Sequence, residues 1–494
     1  TSEKLQEVRD EMKKLEGENY VIASLDDIAW LFNIRGNDVL FNPVALSYSI
    51  ITDTEAKLFI DKSKVNKEVE DELKLQGIEV FEYLEIEEEI KKLNGKVLID
   101  PAKVNAKLYS LLKCEIKEEV NLTTNLKAIK NNVEIESLKN CHIKDGVAMV
   151  KFIKYLRDNI GKEKITELSA SKVLTELRSK EELAMGDSFG TIAGYKEHAA
   201  MMHYSATEES AYELKEEGLF LVDSGGQYLD GTTDITRTFV LGNITEEEKR
   251  DFTLVLKGHI NLANAKFLKG ATGGNLDVLA RGPLWQYGLD YKCGTGHGVG
   301  FFLNVHEGPQ GIRPYGNNVV LEPGMILTNE PGVYKEGKFG IRIENIMVVV
   351  EDETNDNGEF YRFDTISYCP IDLNGVKVEL LNDDEKAWLN NYHKKVYDNL
   401  SPYLNEEERK AALILSKSVA LGKKMVADGE TSAAVVKEAM IKKIESEPMA
   451  KIDYVEAVDG LSMQPVEEIK APALVAMAVY IGKTRLIDNF IVEE

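Results

Sequence analysis

Short apolar runs alternate with amphipathic stretches over the first quarter of the chain. Runs at residues 20–23, 46–51, 58–60 and 96–99 have the length of buried strands, and the stretches between them have helical periodicity. Such alternation is typical of α/β layers. We therefore expect a mainly buried sheet covered by helices between residue 5 and about residue 125.

The pattern changes in the middle of the chain. Helical periodicity at residues 134–159 and 166–185 gives way to strand-like runs separated by glycine turns, at 219–222, 235–241, 300–305, 325–329 and 340–350. This order predicts an α+β unit in which helices cover a curved antiparallel sheet. A helical stretch at 383–400 is expected to end the unit.

The end of the chain has a pattern of its own. A long helical pattern from Pro402 to Glu447 precedes strand-like runs at 452–458, 473–481 and 485–492, which predicts a small third α+β unit. We place the three domains at residues 1–128, 129–400 and 401–494. A chain of 494 residues is long enough for several domains, each with its own core.

Composition argues against two classes of partner. The chain carries 84 acidic and 60 basic residues, a formal net charge of -24, and such a field repels phosphate backbones and anionic lipids. We therefore expect no nucleic-acid or membrane partner. The longest apolar run is much shorter than the roughly 20 residues of a membrane-spanning helix. The four widely separated cysteines suit a reducing, cytoplasmic environment better than a disulfide framework.

Two aspartates flank a predicted hairpin in the middle unit. The apolar run that ends at Val222 is followed at once by Asp223, and Asp234 comes eleven residues later, after the turn signal Asp230-Gly231. If the two segments pair, both carboxylates can face one point.

Three further residues of the same chemical kind follow. His297 stands in Gly294-Thr295-Gly296-His297-Gly298-Val299-Gly300, where four glycines indicate close backbone approach or positive φ. Glu330 and Glu344 lie in runs predicted to be half-buried strands. Burying four carboxylates and an imidazole is costly unless cations neutralise them. Oxygen-rich ligation without thiolate favours Mn²⁺, Co²⁺ or Zn²⁺, and four carboxylates suffice to bridge two ions.

Each of these residues, taken alone, has an ordinary structural explanation. A lone Asp at a strand end is usually a turn residue, and a lone Glu in a strand usually faces solvent. A single His among glycines is more often part of a turn than a ligand. The five together, in this order, favour a metal site over these alternatives.

Four segments around these residues resemble a known family. VDSGGQYLDGTTDITRT, GTGHGVGFFLNVHEGP, TNEPGVY and GIRIENI resemble the metal-site segments of the eukaryotic cytosolic aminopeptidase P (Xaa-Pro aminopeptidase) family. The resemblance covers about residues 1–400 and implies a creatinase-like α/β domain followed by an α+β pita-bread catalytic domain. Methionine aminopeptidase and prolidase share the five-residue pattern, but residues 29–33 and 304–309 are similar to aminopeptidase P. Creatinase has the fold without the metal ligands.

The resemblance implies how the five residues divide between two metal ions. It assigns Asp223 to one ion, and His297 and Glu330 to the other. Asp234 and Glu344 are implied to bridge them. Members of the family typically use two Mn²⁺ ions.

The resemblance also implies residues around the metals and a mechanism. His203 and His306 match histidines that hold the substrate and the tetrahedral intermediate, and Tyr334 and Arg342 match positions beside the bridging carboxylates. A hydroxide bridging the two ions is the implied nucleophile, with Glu330 as general base and then general acid. The implied substrates are peptides with proline at the second position, and the implied assembly is a homodimer. The alternatives are a prolidase-type dipeptidase on the same fold and a non-catalytic peptide-binding pita-bread module, which should have lost metal ligands.

Parts of the chain depart from the family pattern. Cys293 stands where many relatives carry histidine, and we interpret it as an inert core thiol, with tuning of the pocket as the second interpretation. The chain begins at Thr1, and relatives of this type have a further N-terminal domain, so we expect upstream residues to be missing. Residues 401–494 resemble the C-terminal domain of pantothenate synthetase, but the ATP-binding half of that ligase has no counterpart. We therefore expect no ligase activity.

Overall fold

The computed structural model describes residues 1–403, 406–481 and 484–492. Leu404, Asn405, Gly482 and Lys483, which belong to the tail segments that resemble pantothenate synthetase, lie outside the described residues. The chain divides into two compact units. One comprises Thr1–Met149 and Glu163–His393, and the other comprises Val150–Lys162 and Lys394–Glu494.

The first unit begins with a six-stranded mixed sheet in the order β4-β3-β2-β1-β5-β6. Its strands are β1 (Asn19–Ile22), β2 (Ser47–Thr52), β3 (Ala56–Ile60), β4 (Ile78–Glu82), β5 (Lys96–Ile99) and β6 (Glu115–Glu118). Its helices are α1 (Ser2–Lys14), α2 (Leu25–Phe32), α3 (Lys67–Leu75), α4 (Ile86–Glu89), α5 (Ala106–Leu111) and α6 (Leu122–Ala128). The expected α/β layer is thus confirmed.

Both faces of this sheet are buried at its central strands, because β1, β3 and β5 are mostly apolar. On β1, Tyr20 and Ile22 pack in one core together with Leu5 of α1, whereas Val21 packs in a second core together with Ile86 of α4. Successive strand residues point to opposite faces, so a continuous apolar run requires a helical layer on each side.

The rest of the first unit is built from antiparallel strand pairs. The strands are β7 (Ala184–Asp187), β8 (Ile192–Tyr195), β9 (Leu219–Ser224), β10 (Gly226–Tyr228), β11 (Gly231–Thr232), β12 (Ile235–Val240), β13 (Lys266–Leu268), β14 (Gly296–Gly298), β15 (Glu307–Ile312), β16 (Ile326–Asn329), β17 (Gly332–Lys335), β18 (Phe339–Arg342), β19 (Asn345–Asn355) and β20 (Gly358–Thr365). The helices are α7 (Asn132–Asn159), α8 (Glu167–Arg178), α9 (Glu246–Ala263), α10 (Gly273–Trp285) and α11 (Asp383–Leu400). Of these, α7 and α11 contribute residues to both units.

Helices α9 and α10 cover the sheet β13-β20-β19-β16. Helix α9 begins at a capping box in which Thr245 Oγ1 accepts from the Glu248 backbone N–H and Glu248 accepts from the Thr245 backbone N–H. Leu262 of α9 and Leu276 of α10 share a core with Leu327 of β16. The predicted α+β arrangement of helices over antiparallel strands is confirmed.

The second unit contains a small α+β fold. Helices α12 (Glu406–Ala427) and α13 (Ala433–Glu445) accompany an antiparallel sheet of β21 (Ala450–Asp459), β22 (Ala473–Ile481) and β23 (Thr484–Val492). Val436 and Met440 of α13 pack in one core with Val475 and Met477 of β22. Among the described helices, none combines the length and apolar composition needed to cross a membrane.

Three elements predicted from the sequence differ from those in the structure. The helix predicted at 166–185 ends at Arg178, and Ala184–Asp187 forms β7 instead, paired with β10. Residues 300–305 are not a strand but an irregular loop. The strand predicted at 340–350 is interrupted at Ile343 and Glu344, because β18 pairs with β17 whereas β19 joins β16 and β20.

Candidate metal centre

The hairpin of β9 and β12 carries the first two carboxylates. The strands pair antiparallel with Asp223 opposite Thr236, and Asp234 immediately precedes β12. The pairing expected from the sequence is confirmed. Both carboxylates are buried. Gly225 lies between them, where a Cβ atom would overlap the Thr233 carbonyl oxygen, so only glycine allows this tight approach.

His297 reaches the same point from β14. Its glycine neighbours fit the space available, because a Cβ atom on Gly296 would overlap the Thr328 carbonyl and one on Gly298 would overlap the Glu307 carbonyl. His297 Nδ1 lies 2.8 Å from the Gly298 carbonyl oxygen and donates to it. That bond leaves Nε2 as the ring nitrogen that can bind a metal ion.

The two glutamates come from the ends of other strands. Glu330 directly follows β16, and its Oε1 accepts a hydrogen bond from the Thr328 hydroxyl at 3.0 Å. Glu344 lies in the gap between β18 and β19, and its Oε2 accepts from the Thr236 hydroxyl at 2.7 Å. The interruption of the predicted strand therefore coincides with the position that turns Glu344 inward.

The five side chains predicted from the sequence lie together. His297 Nε2 is 3.4 Å from both Asp234 Oδ2 and Glu330 Oε1. Ligand atoms within 4.8 Å of one another form three overlapping groups: Asp223, Asp234 and Glu344; His297, Glu330 and Glu344; and Asp234, His297 and His306. Asp234, His297 and Glu344 each belong to two groups, and of these three only a carboxylate has two oxygens with which to bridge. The cluster therefore suits two neighbouring ions that share carboxylates.

The electrostatics of the cluster call for cations. Burial raises the pKa of Asp234 well above its usual range, and the charges of Asp223 and Glu330 act in the same direction. Burial, followed by Asp234 and Glu330, likewise raises the pKa of Glu344. Burial also raises the pKa of Glu330, against the opposing effect of His297 and Arg342. Carboxylates crowded in this way become stable as anions once positive charge lies between them.

A metal ion can bind at the cluster if carboxylate oxygens there are free of hydrogen bonds within the protein. Asp223 Oδ1 is buried and has no hydrogen-bond partner among the described residues, whereas Arg342 Nη2 donates to Oδ2 of the same carboxylate. One oxygen of Asp223 is therefore available to a cation. Oxygen atoms and imidazole without thiolate are the donors that Mn²⁺, Co²⁺ and Zn²⁺ accept. The residues present thus fit a pair of divalent ions.

Arg342 and Tyr334, both predicted to lie beside the cluster, are joined to each other. Arg342 Nη1 donates to Tyr334 Oη at 2.7 Å, and Arg342 Nε donates to Thr236 Oγ1 at 3.1 Å. Thr236 in turn donates to Glu344. A hydrogen-bonded chain therefore holds Asp223 and Glu344 in fixed orientations.

The two outer histidines are placed differently. The ring of His306 stands perpendicular to that of His297 with centroids 4.2 Å apart, which brings His306 to the cluster. Desolvation lowers the pKa of His306 to about 4, and positive charge on His297 and His203 acts in the same direction. His203 is exposed, in the turn after the 3-10 helix Lys196–Ala200, and belongs to none of the three ligand groups.

Three residues that hold the glutamates of the cluster in place were not predicted from the sequence. Thr236 and Thr328 orient Glu344 and Glu330, and Arg237, which is buried, donates to the Glu344 carbonyl oxygen at 2.6 Å. A signal was available, because Thr236 lies two residues after Asp234 on the same strand face and Thr328 two residues before Glu330.

Family comparisons agree with the domain order. Residues 1–134 match the creatinase/prolidase N-terminal domain, 136–351 match metallopeptidase family M24, and 359–416 match the C-terminal region of that family. Residues 400–491 match pantoate-beta-alanine ligase.

The chain is also similar to individual proteins of the M24 family, several of which are Xaa-Pro aminopeptidases. The chain is 39% identical to aminopeptidase P1 of Arabidopsis thaliana over 462 residues, covering 82% of this chain and 72% of the relative. It is 40% identical to Xaa-Pro aminopeptidase 1 of Dictyostelium discoideum, covering 84% and 67%. A crystal structure of X-prolyl aminopeptidase from Caenorhabditis elegans, described as a cytosolic enzyme with a di-nuclear active site, aligns with a TM-score of 0.77 at 36% identity, covering 83% and 68%. Xaa-Pro dipeptidase from Bacillus anthracis, at 24% identity, TM-score 0.61 and coverage of 75% and 98%, shows likeness in fold alone.

Proposed function

Because this chain belongs to the Xaa-Pro aminopeptidase family of M24 metallopeptidases, we propose that it hydrolyses the peptide bond between an N-terminal residue and a following proline. The observation that carries the proposal is the convergence of four carboxylates and one imidazole into overlapping ligand groups. We assign this activity to residues 129–400, with 1–128 and 401–494 as separate non-catalytic domains.

We assign the ligands as the family resemblance implies, and the three groups are compatible with that assignment. Asp223 would hold one ion, His297 and Glu330 the other, and Asp234 and Glu344 would be shared. When bound, the two ions would supply Lewis acidity and an activated water. We propose two Mn²⁺ ions, with Co²⁺ or Zn²⁺ as the alternatives that the same donors accept.

Glu330 is suited to move the proton in this reaction. The Thr328 hydroxyl fixes one carboxylate oxygen, so the other can face the reacting atoms. We propose that Glu330 accepts a proton as general base and later donates it to the departing proline nitrogen. A positioned general base of this kind contributes about 10²- to 10⁴-fold to the rate.

His306 and His203 would act on the substrate. With a pKa of about 4, His306 is neutral near pH 7, so it has one N–H to donate toward the carbonyl oxygen as negative charge develops there. We propose His203 as a second contact, from the exposed turn. Arg342 and Tyr334 would keep the metal-binding carboxylates in place.

We also propose a cellular location and an oligomeric state for the enzyme. The relative from Caenorhabditis elegans is described as cytosolic, which supports a cytoplasmic enzyme here. We also propose a homodimer, to be tested by light scattering of the purified protein.

A peptide assay tests the proposed function. An Xaa-Pro-Pro tripeptide should lose its first residue in the presence of Mn²⁺, chelator should abolish the reaction, and Xaa-Ala-Pro should be a poor substrate. The variant D223N should be inactive, whereas D230N, which changes an aspartate of the same hairpin that lies outside the ligand groups, should keep most of the activity. Preference for the dipeptide Xaa-Pro would indicate a prolidase instead. Lack of hydrolysis with both metal sites filled would leave a peptide-binding module.

A further inference from the structure

The loop at residues 301–306, which connects β14 with β15 and carries His306, follows an irregular path. Phe302 adopts φ +47°, the left-handed region that bulky residues rarely occupy. Such a conformation costs on the order of 1–3 kcal/mol, so it persists only where surrounding contacts impose it. Arg35 and the Lys130–Glu307 pair hold the two ends of the loop here, and Gln227 and Thr232 hydrogen-bond to Leu303 between them.

Arg35 holds the first end of the loop. Its Nη2 donates to the Phe301 carbonyl oxygen at 2.9 Å, its Nε donates to the Phe302 carbonyl oxygen, and its guanidinium lies 5.5 Å from the centre of the Phe302 ring. The same side chain donates through Nη1 to the Ala29 and Ile34 carbonyls at 3.1 and 3.0 Å. The planar guanidinium thus joins the end of α2 to Phe301 and to the strained Phe302.

Glu307 holds the second end of the loop. Its side chain is buried and forms an ion pair with Lys130 Nζ, and Lys127 Nζ lies 4.0 Å from its other oxygen. Lys127 also pairs with Asp26 and with Asp27, at 2.5 and 3.3 Å. These partners lie within residues 1–134, which match the creatinase/prolidase N-terminal domain, and Lys130 lies two residues past the domain boundary proposed at residue 128. Such a network is costly to disturb because loss of one partner leaves a buried charge unpaired.

We propose that Arg35 and the Lys130–Glu307 pair are positioning residues for catalysis, which act by fixing the 301–306 loop so that the His306 ring stays beside His297. The inference rests on the proposed function, in which His306 contacts the substrate. It gives the N-terminal domain a catalytic purpose within the same chain. A displacement of about 1 Å in a substrate-contacting group can cost roughly 10²-fold in rate, so anchors at both ends of the loop are of kinetic consequence.

The kinetic test uses R35K with a matched control. Lysine can reach one carbonyl but lacks the fork that serves two, so kcat should fall about 10- to 100-fold while KM changes less than about 3-fold. Arg9 also donates to two backbone carbonyls, those of Thr52 and Glu55, away from the loop. R9K should therefore keep kcat within about 2-fold of the unchanged protein. Equal effects of R35K and R9K would overturn the proposal.

A double-mutant cycle separates positioning from general loss of structure. If Arg35 acts through His306, R35K should lower kcat no further in a protein that already carries H306A. If the losses of kcat caused by R35K and by H306A multiply in the double variant, the inference is contradicted. The double variant K130M/E307Q, which removes both charges and so leaves no unpaired ion, should repeat the effect of R35K at the other end of the loop.

The mobility of the loop can also be measured directly, in an experiment that requires neither bound metal nor enzymatic activity. Hydrogen exchange of the metal-free protein, followed by mass spectrometry, should show faster exchange of peptides spanning 301–306 in R35K than in R9K. Unchanged exchange there would overturn the positioning role even if the kinetics agreed. If the unchanged protein fails to cleave Xaa-Pro-Pro while R35K still loosens the loop, the proposed function fails and the anchoring stands.

Discussion

Arg342 donates a hydrogen bond to one oxygen of the Asp223 carboxylate and leaves the other oxygen for a ligand. Arg342 Nη2 donates to Asp223 Oδ2 at 2.5 Å, while Asp223 Oδ1, though buried, has no hydrogen-bond partner among the described residues. The arginine therefore fixes the rotation of the carboxylate and leaves its second oxygen for a cation. Because Arg342 also donates to Thr236 and Tyr334, its loss should disturb two metal-binding carboxylates at once.

The first prediction concerns this arginine. R342K keeps the charge but loses the fork that reaches three partners, so metal affinity or kcat/KM should fall about 10- to 100-fold. Titration with Mn²⁺ and the tripeptide assay measure the two quantities. R362K is the control, because Arg362 is half exposed and pairs with Asp352 on the surface. Unchanged affinity and activity in R342K would show that Asp223 does not depend on this contact.

The second prediction is that metal binding releases protons. Burial raises the pKa values of Asp234 and Glu344 well above their usual range, so in the absence of cations the cluster binds protons more readily than ordinary carboxylates do. Cations favour the ionised form, and binding should expel about one proton or more. Calorimetry of Mn²⁺ binding at pH 7, in two buffers with different ionisation enthalpies, counts these protons. D234N should release fewer, and a binding heat independent of buffer would contradict the prediction.

The third prediction separates proton transfer from metal binding at Glu330. E330Q keeps the acceptor oxygen for Thr328 but cannot carry a proton between water and the proline nitrogen, so kcat should fall about 10²- to 10⁴-fold. Elemental analysis should find at most one ion per chain in D223N, because Asp223 is assigned to one ion alone, and should find both ions in E330Q at saturating Mn²⁺. Normal turnover by E330Q with both ions bound would remove Glu330 from the proton pathway.

The fourth prediction concerns the pH dependence of stability. His259 is buried, its Nδ1 donates to the Asn329 carbonyl oxygen and its Nε2 accepts from Asn345 Nδ2, an arrangement that suits the neutral ring. Burial, aided by the charge of Arg237, lowers the pKa of His259 to about 3. Between pH 3 and 6.5 the unfolded state therefore binds the extra proton, and the free energy of unfolding should fall as pH falls, by about 1.4 kcal/mol per pH unit from this residue.

Urea unfolding in the presence of chelator at pH 5, 6 and 7 tests the contribution of His259. H259Q should unfold with a shallower dependence on pH than the unchanged protein, although it is less stable at pH 7. Equal slopes in the two proteins would mean that His259 binds protons as readily in the folded state as in the unfolded state.

Local sequence rules gave the strands, the hairpin and the glycine turns. The apolar run before Asp223 and the Asp230-Gly231 turn predicted the pairing of β9 with β12, and the structure has Asp223 opposite Thr236. Periodicity likewise predicted α11 with the bounds Asp383–Leu400 and β22 with the bounds Ala473–Ile481. These features depend on neighbours along the chain, so the sequence contains the information directly.

The incorrect predictions share a cause. Phe301, Phe302 and Val305 have strand propensity. The loop backbone instead bonds to the side chains of Arg35, Gln227 and Thr232, which fix another path. The continuous apolar pattern at 340–350 conceals a change of partner strand at Glu344. In both cases a tertiary hydrogen bond or pairing overrides the local preference.

By itself, the sequence determined the types of the reactive residues, the strands that carry them and the need for cations among four inward carboxylates. Only the tertiary structure decided how close the ligand atoms lie to one another, that Thr236 links Arg342 with Glu344, and that Arg35 reaches a loop 266 residues away. The physical reason is that hydrophobic periodicity is a local property of the chain. Hydrogen bonds and ion pairs between distant segments depend on distances of a few ångströms, which the packing of the whole unit sets.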